Sequence, residues 1–64
     1  MSVSNVVQKI RTEKGLTQEE LADKVGVSRQ TVIAIEKGNY APSVLLALKI
    51  ARTFKLSVEE IFSL

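Results

Sequence analysis

Arg29 and Gln30 stand side by side in this 64-residue chain and are its residues best suited to specific chemistry. An arginine fork can donate twice to the N7 and O6 edge of guanine, and a glutamine amide can both donate to and accept from adenine. That is the chemistry of recognition, not of bond making. Bond making lacks its usual tools, because the chain has neither His nor Cys. Ser-His-Asp and Cys-His nucleophilic sites are therefore excluded, and so are the usual ligands of structural zinc. Asp23 is the only Asp, and the Glu residues lie mostly among Lys and Arg. So short a chain can hardly enclose a substrate-sized pocket. The expectation is no enzyme activity, no cofactor, no metal and no small-molecule ligand.

Arg29 and Gln30 can act only if a rigid element holds them outward. Gly15, Gly26, Gly38 and Pro42 divide the chain into segments that each read as helix. One local device recurs three times: an apolar residue, then Ser or Thr, then a second apolar residue five positions after the first. In Leu16-Thr17-Gln18-Glu19-Glu20-Leu21, Thr17 and Glu20 form a capping box with Leu16 and Leu21 as hydrophobic staple. In Val27-Ser28-Arg29-Gln30-Thr31-Val32, Ser28 is the N-cap and Val27/Val32 the staple. Leu56-Ser57-Val58-Glu59-Glu60-Ile61 is again a full capping box. Val3, Val6, Val7 and Ile10 add a helical face, capped by Ser4 or Ser2 and closed by Lys14-Gly15. Ser43 caps a further helix. The spacing predicts helices over about 4–14, 18–25, 29–37, 44–54 and 58–63, with no sustained strand alternation. The fold class is all-α, one domain over residues 1–64.

Helices 2 and 3 are joined by a very short link centred on Gly26, which matches helix-turn-helix geometry over about residues 17–37. In that motif the second helix enters the DNA major groove, its N-terminal residues at the base edges. At about 100° per residue, Val32 and Ile35 fall on the core side of helix 3, with Thr31 near its edge. Gln30, Ile33, Ala34 and Lys37 face out, flanked by Arg29 and Glu36. Outward Ile33 and Ala34 suit thymine methyl groups, and the helix start favours a phosphate. The plainer alternative is a capped surface helix whose Arg29 and Gln30 are merely solvated.

Net charge is +2, which permits a nucleic-acid partner without requiring one. The longest apolar run, Val44–Leu48, is far too short to span a membrane, and no signal-peptide pattern precedes it. A soluble cytoplasmic protein is expected. Helix 4 is apolar almost all round, apart from Lys49, Arg52 and Thr53, and should be buried on several sides. Leu45, Leu46, Ile50, Phe62 and Leu64 still look like more apolar surface than one small core needs. A homodimer is therefore expected, built from helix 5, the C-terminal residues and the Ser2-Val3 segment. Val3, Ile61, Phe62 and Leu64 are its interface candidates.

The stretch from Leu16-Thr-Gln-Glu-Glu-Leu-Ala through Val25-Gly-Val-Ser-Arg-Gln-Thr, Ile35-Glu-Lys-Gly and Pro42-Ser resembles the Cro/repressor-type, or XRE, helix-turn-helix family. The resemblance covers about Val6 to Phe62. It implies a five-helix lambda-repressor-like domain that binds double-stranded DNA and regulates transcription. It further implies a dimeric repressor on a palindromic operator. By position, Arg29, Gln30, Ile33 and Ala34 would meet bases. Ala34 stands where relatives often carry a polar residue, which shifts the burden of readout to Arg29 and Gln30. Gln18 would bind a phosphate, with Ser28 and Thr31 at the groove edge. Lys37, Asn39 and Tyr40 would line the backbone. Arg11 and Glu36 match a pair that forms an internal salt bridge in relatives. Two alternatives remain open: an antitoxin-type DNA-binding regulator, and a helical interaction adaptor that does not bind DNA.

Overall fold

Four of the five helices begin on a hydroxyl. The computed structural model describes residues 3–64 and contains α1 (Val7–Glu13), α2 (Gln18–Val25), α3 (Arg29–Glu36), α4 (Val44–Phe54) and α5 (Val58–Ile61). Thr17, Ser28, Ser43 and Ser57 each accept a hydrogen bond from the backbone N–H three residues on, satisfying a donor that the first helical turn leaves unpaired. At Thr17/Glu20 and Ser57/Glu60 the Glu side chain also reaches back, completing both capping boxes. Leu16, Val27 and Leu56, the leading residues of the three staples, pack against the core that holds Leu21, Val32 and Ile61. Among the described residues, no helix is long and apolar enough to cross a membrane.

The first helix departs from expectation. It starts at Val7, and Val6, its N-cap, makes no side-chain cap. Ser4 and Asn5 instead form a short strand, β1, paired antiparallel with β2 (Phe62–Ser63) in the register Ser4↔Ser63 and Asn5↔Phe62. Ser4 is thus a ladder residue and not a cap; Ser2, the other candidate, lies outside the described residues. Asn5 diverts the chain from helix, as short amides do when backbone partners are near. Its Oδ1 accepts from the Val7 N–H at 3.0 Å, and its Nδ2 donates to the Ile35 carbonyl at 2.9 Å. The ladder also ends α5 at Ile61, two residues short of the expected 63. A two-residue strand shows no readable alternation, which is why the pattern missed it.

Gly26 closes α2 in the left-handed region at φ 76°, where a Cβ would be strained. Its N–H and that of Val27 both turn back to the Ala22 carbonyl, so the chain reverses within two residues and α3 can start at once. Lys55 makes the same left-handed exit from α4 at φ 60° without being a glycine.

The core gathers one face of every helix: Val7 and Ile10, Leu21, Ala22 and Val25, Val32 and Ile35, Leu46, Ile50, Ala51 and Phe54, and Ile61. Val32 and Ile35 are the buried residues of α3, as its angular distribution requires. Ile61, expected at a dimer interface, instead belongs to this core and is 2% exposed. Its backbone explains the position, since the Val6 N–H donates to the Ile61 carbonyl at 3.0 Å and draws α5 inward. Of the apolar residues that looked surplus, Leu46 and Ile50 are core, Phe62 is half-buried, and Leu45 and Leu64 are exposed.

One ion pair ties α1 to α3. Arg11 Nε donates to Glu36 Oε2 at 2.7 Å and Nη2 donates to Oε1 at 3.3 Å, while Nη1 donates to the Leu16 carbonyl at 2.8 Å. The side chains are only 12% and 3% exposed. Removing one member strands the other without water, so Glu36→Ala should cost about 3–5 kcal/mol. That is a large share of the stability of a small domain. Urea denaturation followed by circular dichroism checks this; a loss below about 1 kcal/mol would show the pair to be dispensable.

Glu20 gives a pH handle on the fold. Hydrogen bonds from the Thr17 backbone and hydroxyl hold its carboxyl below the ordinary value of 4.5, with Lys24 adding a smaller attraction. Its folded pKa lies below its unfolded one, so its stabilisation is complete above about 4.5 and is lost as pH falls through the lowered value. The urea midpoint of the wild type should exceed that of Glu20→Gln by a margin that shrinks on acidification. A margin constant from neutral pH to acid would contradict the capping role.

Candidate nucleic-acid interface

The turn at Gly26 sets the start of α3 beside the start of α2. With Val32 and Ile35 anchored in the core, the remaining side chains of α3 are fixed in direction. Arg29 and Gln30, in its first turn, are exposed. Ile33 and Ala34 are half-buried on the same outward side, and Lys37, the C-cap, is exposed. Ser28 and Thr31 act together at the helix start: Ser28 Oγ accepts from the Thr31 N–H at 3.3 Å, and the two hydroxyl oxygens lie 3.2 Å apart. Both are therefore partly committed to holding α3 in place.

The segment after α3 is tethered rather than free. The Gly38 N–H donates to the Ile35 carbonyl and the Asn39 N–H to the Ala34 carbonyl, at 3.0 and 2.9 Å. This holds Asn39 and Tyr40, both exposed, next to the C-terminal end of α3. The outward residues thus run from Gln18 and Arg29 across Gln30, Ile33 and Ala34 to Lys37, Asn39 and Tyr40.

Gln18, expected to meet a phosphate, is engaged by two side chains of the domain in the unbound chain. It is half-buried, its Nε2 donates to Glu36 Oε1 at 3.0 Å, and its Oε1 accepts from Arg29 Nε at 3.4 Å. What remains for a phosphate is the start of α2 itself. Thr17 takes the Glu20 N–H, which leaves the first N–H groups of the helix directed outward. Arg11, Thr17, Gln18 and Arg29 line one cleft of about 490 Å³. The Arg11 guanidinium is occupied by Glu36 and the Leu16 carbonyl, so the Arg29 guanidinium and the start of α2 are the groups of this cleft that can receive an anion. The placement of Arg11 in this cleft was not legible, since its pairing with Glu36 accounted for it fully. The single clue was its charge in an otherwise apolar helical face.

Comparison with known proteins agrees with this geometry. The Helix-turn-helix family model matches residues 7–61. YgzD of Bacillus subtilis, described as an uncharacterized HTH-type transcriptional regulator, is 52% identical over 60 residues, covering 94% of this chain and 91% of that protein. The restriction-modification controller protein C.AhdI from Aeromonas hydrophila superposes with a TM-score of 0.79 at 35% identity, over 84% of this chain and 82% of that one. SinR, a master regulator for biofilm formation solved in complex with DNA, gives a TM-score of 0.76 at 31% identity, over 83% and 86%. With five helices, a tight turn between α2 and α3 and this breadth of match, the chain belongs to the Helix-turn-helix family of Cro/repressor-like transcriptional regulators.

Proposed function

We propose that this protein binds double-stranded DNA in a sequence-specific way and acts as a homodimeric repressor on a palindromic operator. The observation that carries the reading is the exposed Arg29-Gln30 pair on the first turn of α3, held outward by the buried Val32 and Ile35. Such a pair can donate to guanine and address adenine in the major groove. Ile33 and Ala34 offer apolar contact to thymine methyl groups, while Lys37, Asn39, Tyr40 and the Arg11–Gln18 cleft flank the groove to meet phosphates. Occupying a promoter is enough to repress and needs no further contact surface.

The dimer rests on a face other than the buried Ile61. On α4, Val44, Leu45 and Leu48 are 78%, 63% and 54% exposed, and Leu64 is exposed as well. Val44 and Leu48 also form part of the wall of an apolar groove, whose other lining residues include Val3, Pro42, Ala47 and Phe62. A ridge and a groove on one face become mutually complementary under a two-fold axis. Size supports the same arrangement. One copy measures 29 × 22 × 20 Å between its Cα extremes, and half-sites one turn apart lie about 34 Å centre to centre. Two copies on one side of a duplex are therefore near enough to touch.

Two measurements test these readings. Sites selected from a random DNA pool define the operator, and its affinity should fall steeply with salt. Arg29→Ala and Gln30→Ala should each cost about 1–3 kcal/mol and each relax preference at one base pair. No binding even at low salt would favour the adaptor reading. For the dimer, sedimentation at tens of micromolar, an order-of-magnitude choice for a modest interface, should give twice the 7.0 kDa chain mass, and Leu48→Glu should return it to one. A wild type sedimenting as a single chain would remove the dimer.

A further inference from the structure

The net charge of +2 is not spread evenly over the surface. Lys49 and Arg52 line two adjoining clefts. One, of about 760 Å³, also holds Lys55 and Glu59; the other, of about 360 Å³, also holds Lys24 and Asp23. These residues carry the whole +2, because the other five Lys and Arg (9 less 4) are matched by five Glu (7 less 2). Arg29, Gln30, Ile33 and Ala34 line neither cleft. Lys49, Arg52 and Lys55 follow one another at three-residue spacing along α4 and its C-cap, all exposed. Among the described residues the one ion pair is Arg11–Glu36, so no carboxylate engages this row. Lys55 is also the one non-glycine residue among them with a left-handed φ. Glycine is the ordinary occupant of such a helix exit, so a cation is kept there against backbone strain. The apolar lining of the larger cleft is Leu45, Leu48, Ala51, Leu56 and Val58. A nucleic-acid backbone would meet the cations and leave these side chains in water. An acidic segment with an apolar stripe satisfies both.

We infer that the larger cleft is a docking site for an acidic amphipathic helix of a partner protein. Its apolar stripe covers Leu45, Leu48 and Val58, and its carboxylates face Lys49, Arg52 and Lys55. Complementary charge steers the encounter and turns basic segments away. Leu45 and Leu48 also stand on the ridge proposed for the dimer. A seated helix and a second copy therefore exclude one another, and the partner would withdraw the chain from a palindromic operator. That consequence rests on the proposed dimer; the docking itself does not.

The probes are two synthetic helical peptides of about 16 residues, long enough to form a helix. Both carry a leucine stripe; it is flanked by glutamates in one and by lysines in the other. Fluorescence anisotropy with the whole chain should show the glutamate peptide binding roughly tenfold more tightly, by a margin that narrows with salt. Lys49→Glu with Arg52→Glu should reverse the order of the two peptides. A damaged fold would weaken both alike and could not reverse them. Lys9→Glu with Lys14→Glu makes the same change of charge on α1 and should leave the order as it was. Lys55→Gly should weaken the glutamate peptide about twofold without lowering the urea midpoint. In sedimentation, excess glutamate peptide should convert the dimer to one chain with one peptide. Equal affinity for the two peptides, or none for either, would show the inference to be wrong. A reversal produced equally by the α1 variant would also overturn it, because bulk charge would then be the cause. So would a Lys49/Arg52 variant that keeps its peptide preference and loses affinity for mixed-sequence DNA, since the row would then be a nucleic-acid contact. A wild type that sediments as a single chain before any peptide is added removes the dimer and its competition, and leaves the docking to be judged by the peptides.

Discussion

The carboxylate of Glu36 is the point at which the architecture is decided. A charge removed from water must find donors, and three N–H groups supply them. Two come from Arg11 on α1 and one from Gln18 at the start of α2. The group that needs them sits at the end of α3. One desolvated charge thereby fixes the relative placement of three helices. Arg11 is fixed in turn by the Leu16 carbonyl, in the link between α1 and α2. The apolar core could tolerate some sliding of α3 along its contacts, because apolar attraction has no direction. The hydrogen bonds to Glu36 do have direction, and they set the angle at which Arg29 and Gln30 leave the surface.

Stability otherwise comes from small, local devices that agree with the packing. There are no disulfides to supply it. Thr17, Ser28, Ser43 and Ser57 each satisfy one orphan donor, each worth about 1 kcal/mol. The apolar residue before three of these caps joins the core, so each cap is also a packing contact. Local preference and tertiary contact select the same helix starts, which is the consistency that lets a short chain adopt one structure.

That consistency also explains what the residues disclosed in advance. Thr17, Ser28 and Ser57 were legible because a cap and its partner lie within three residues. The outward set on α3 was legible because Val32 and Ile35 fix its rotation. What escaped was long-range. The Ser4–Ser63 pairing joins residues at opposite ends of the described chain and leaves no periodic trace in two-residue strands. Ile61 lies in the core because of distant partners, the other core residues and the Val6 N–H, and not because of its own helix of four residues. The dual engagement of Gln18 was hidden for a related reason. Its partners stand 18 and 11 residues away, and only the helix-turn-helix geometry brings them together.

The antiparallel pair at Ser4 and Ser63 closes a loop of 59 residues (63 minus 4). Closing so long a loop costs roughly 3–4 kcal/mol of chain entropy, while each backbone hydrogen bond returns only about 1 kcal/mol net. Two residues per strand cannot offset that on their own. The ladder must therefore assemble late, after Val7, Phe54 and Ile61 have come together, and it must be among the first contacts to fray. Asn5 extends this edge to the Ile35 carbonyl near the end of α3. The seam thus acts as a clasp over the finished core, and its amide exchange would report the opening of the clasp itself, ahead of the core and at a site remote from the α2–α3 turn.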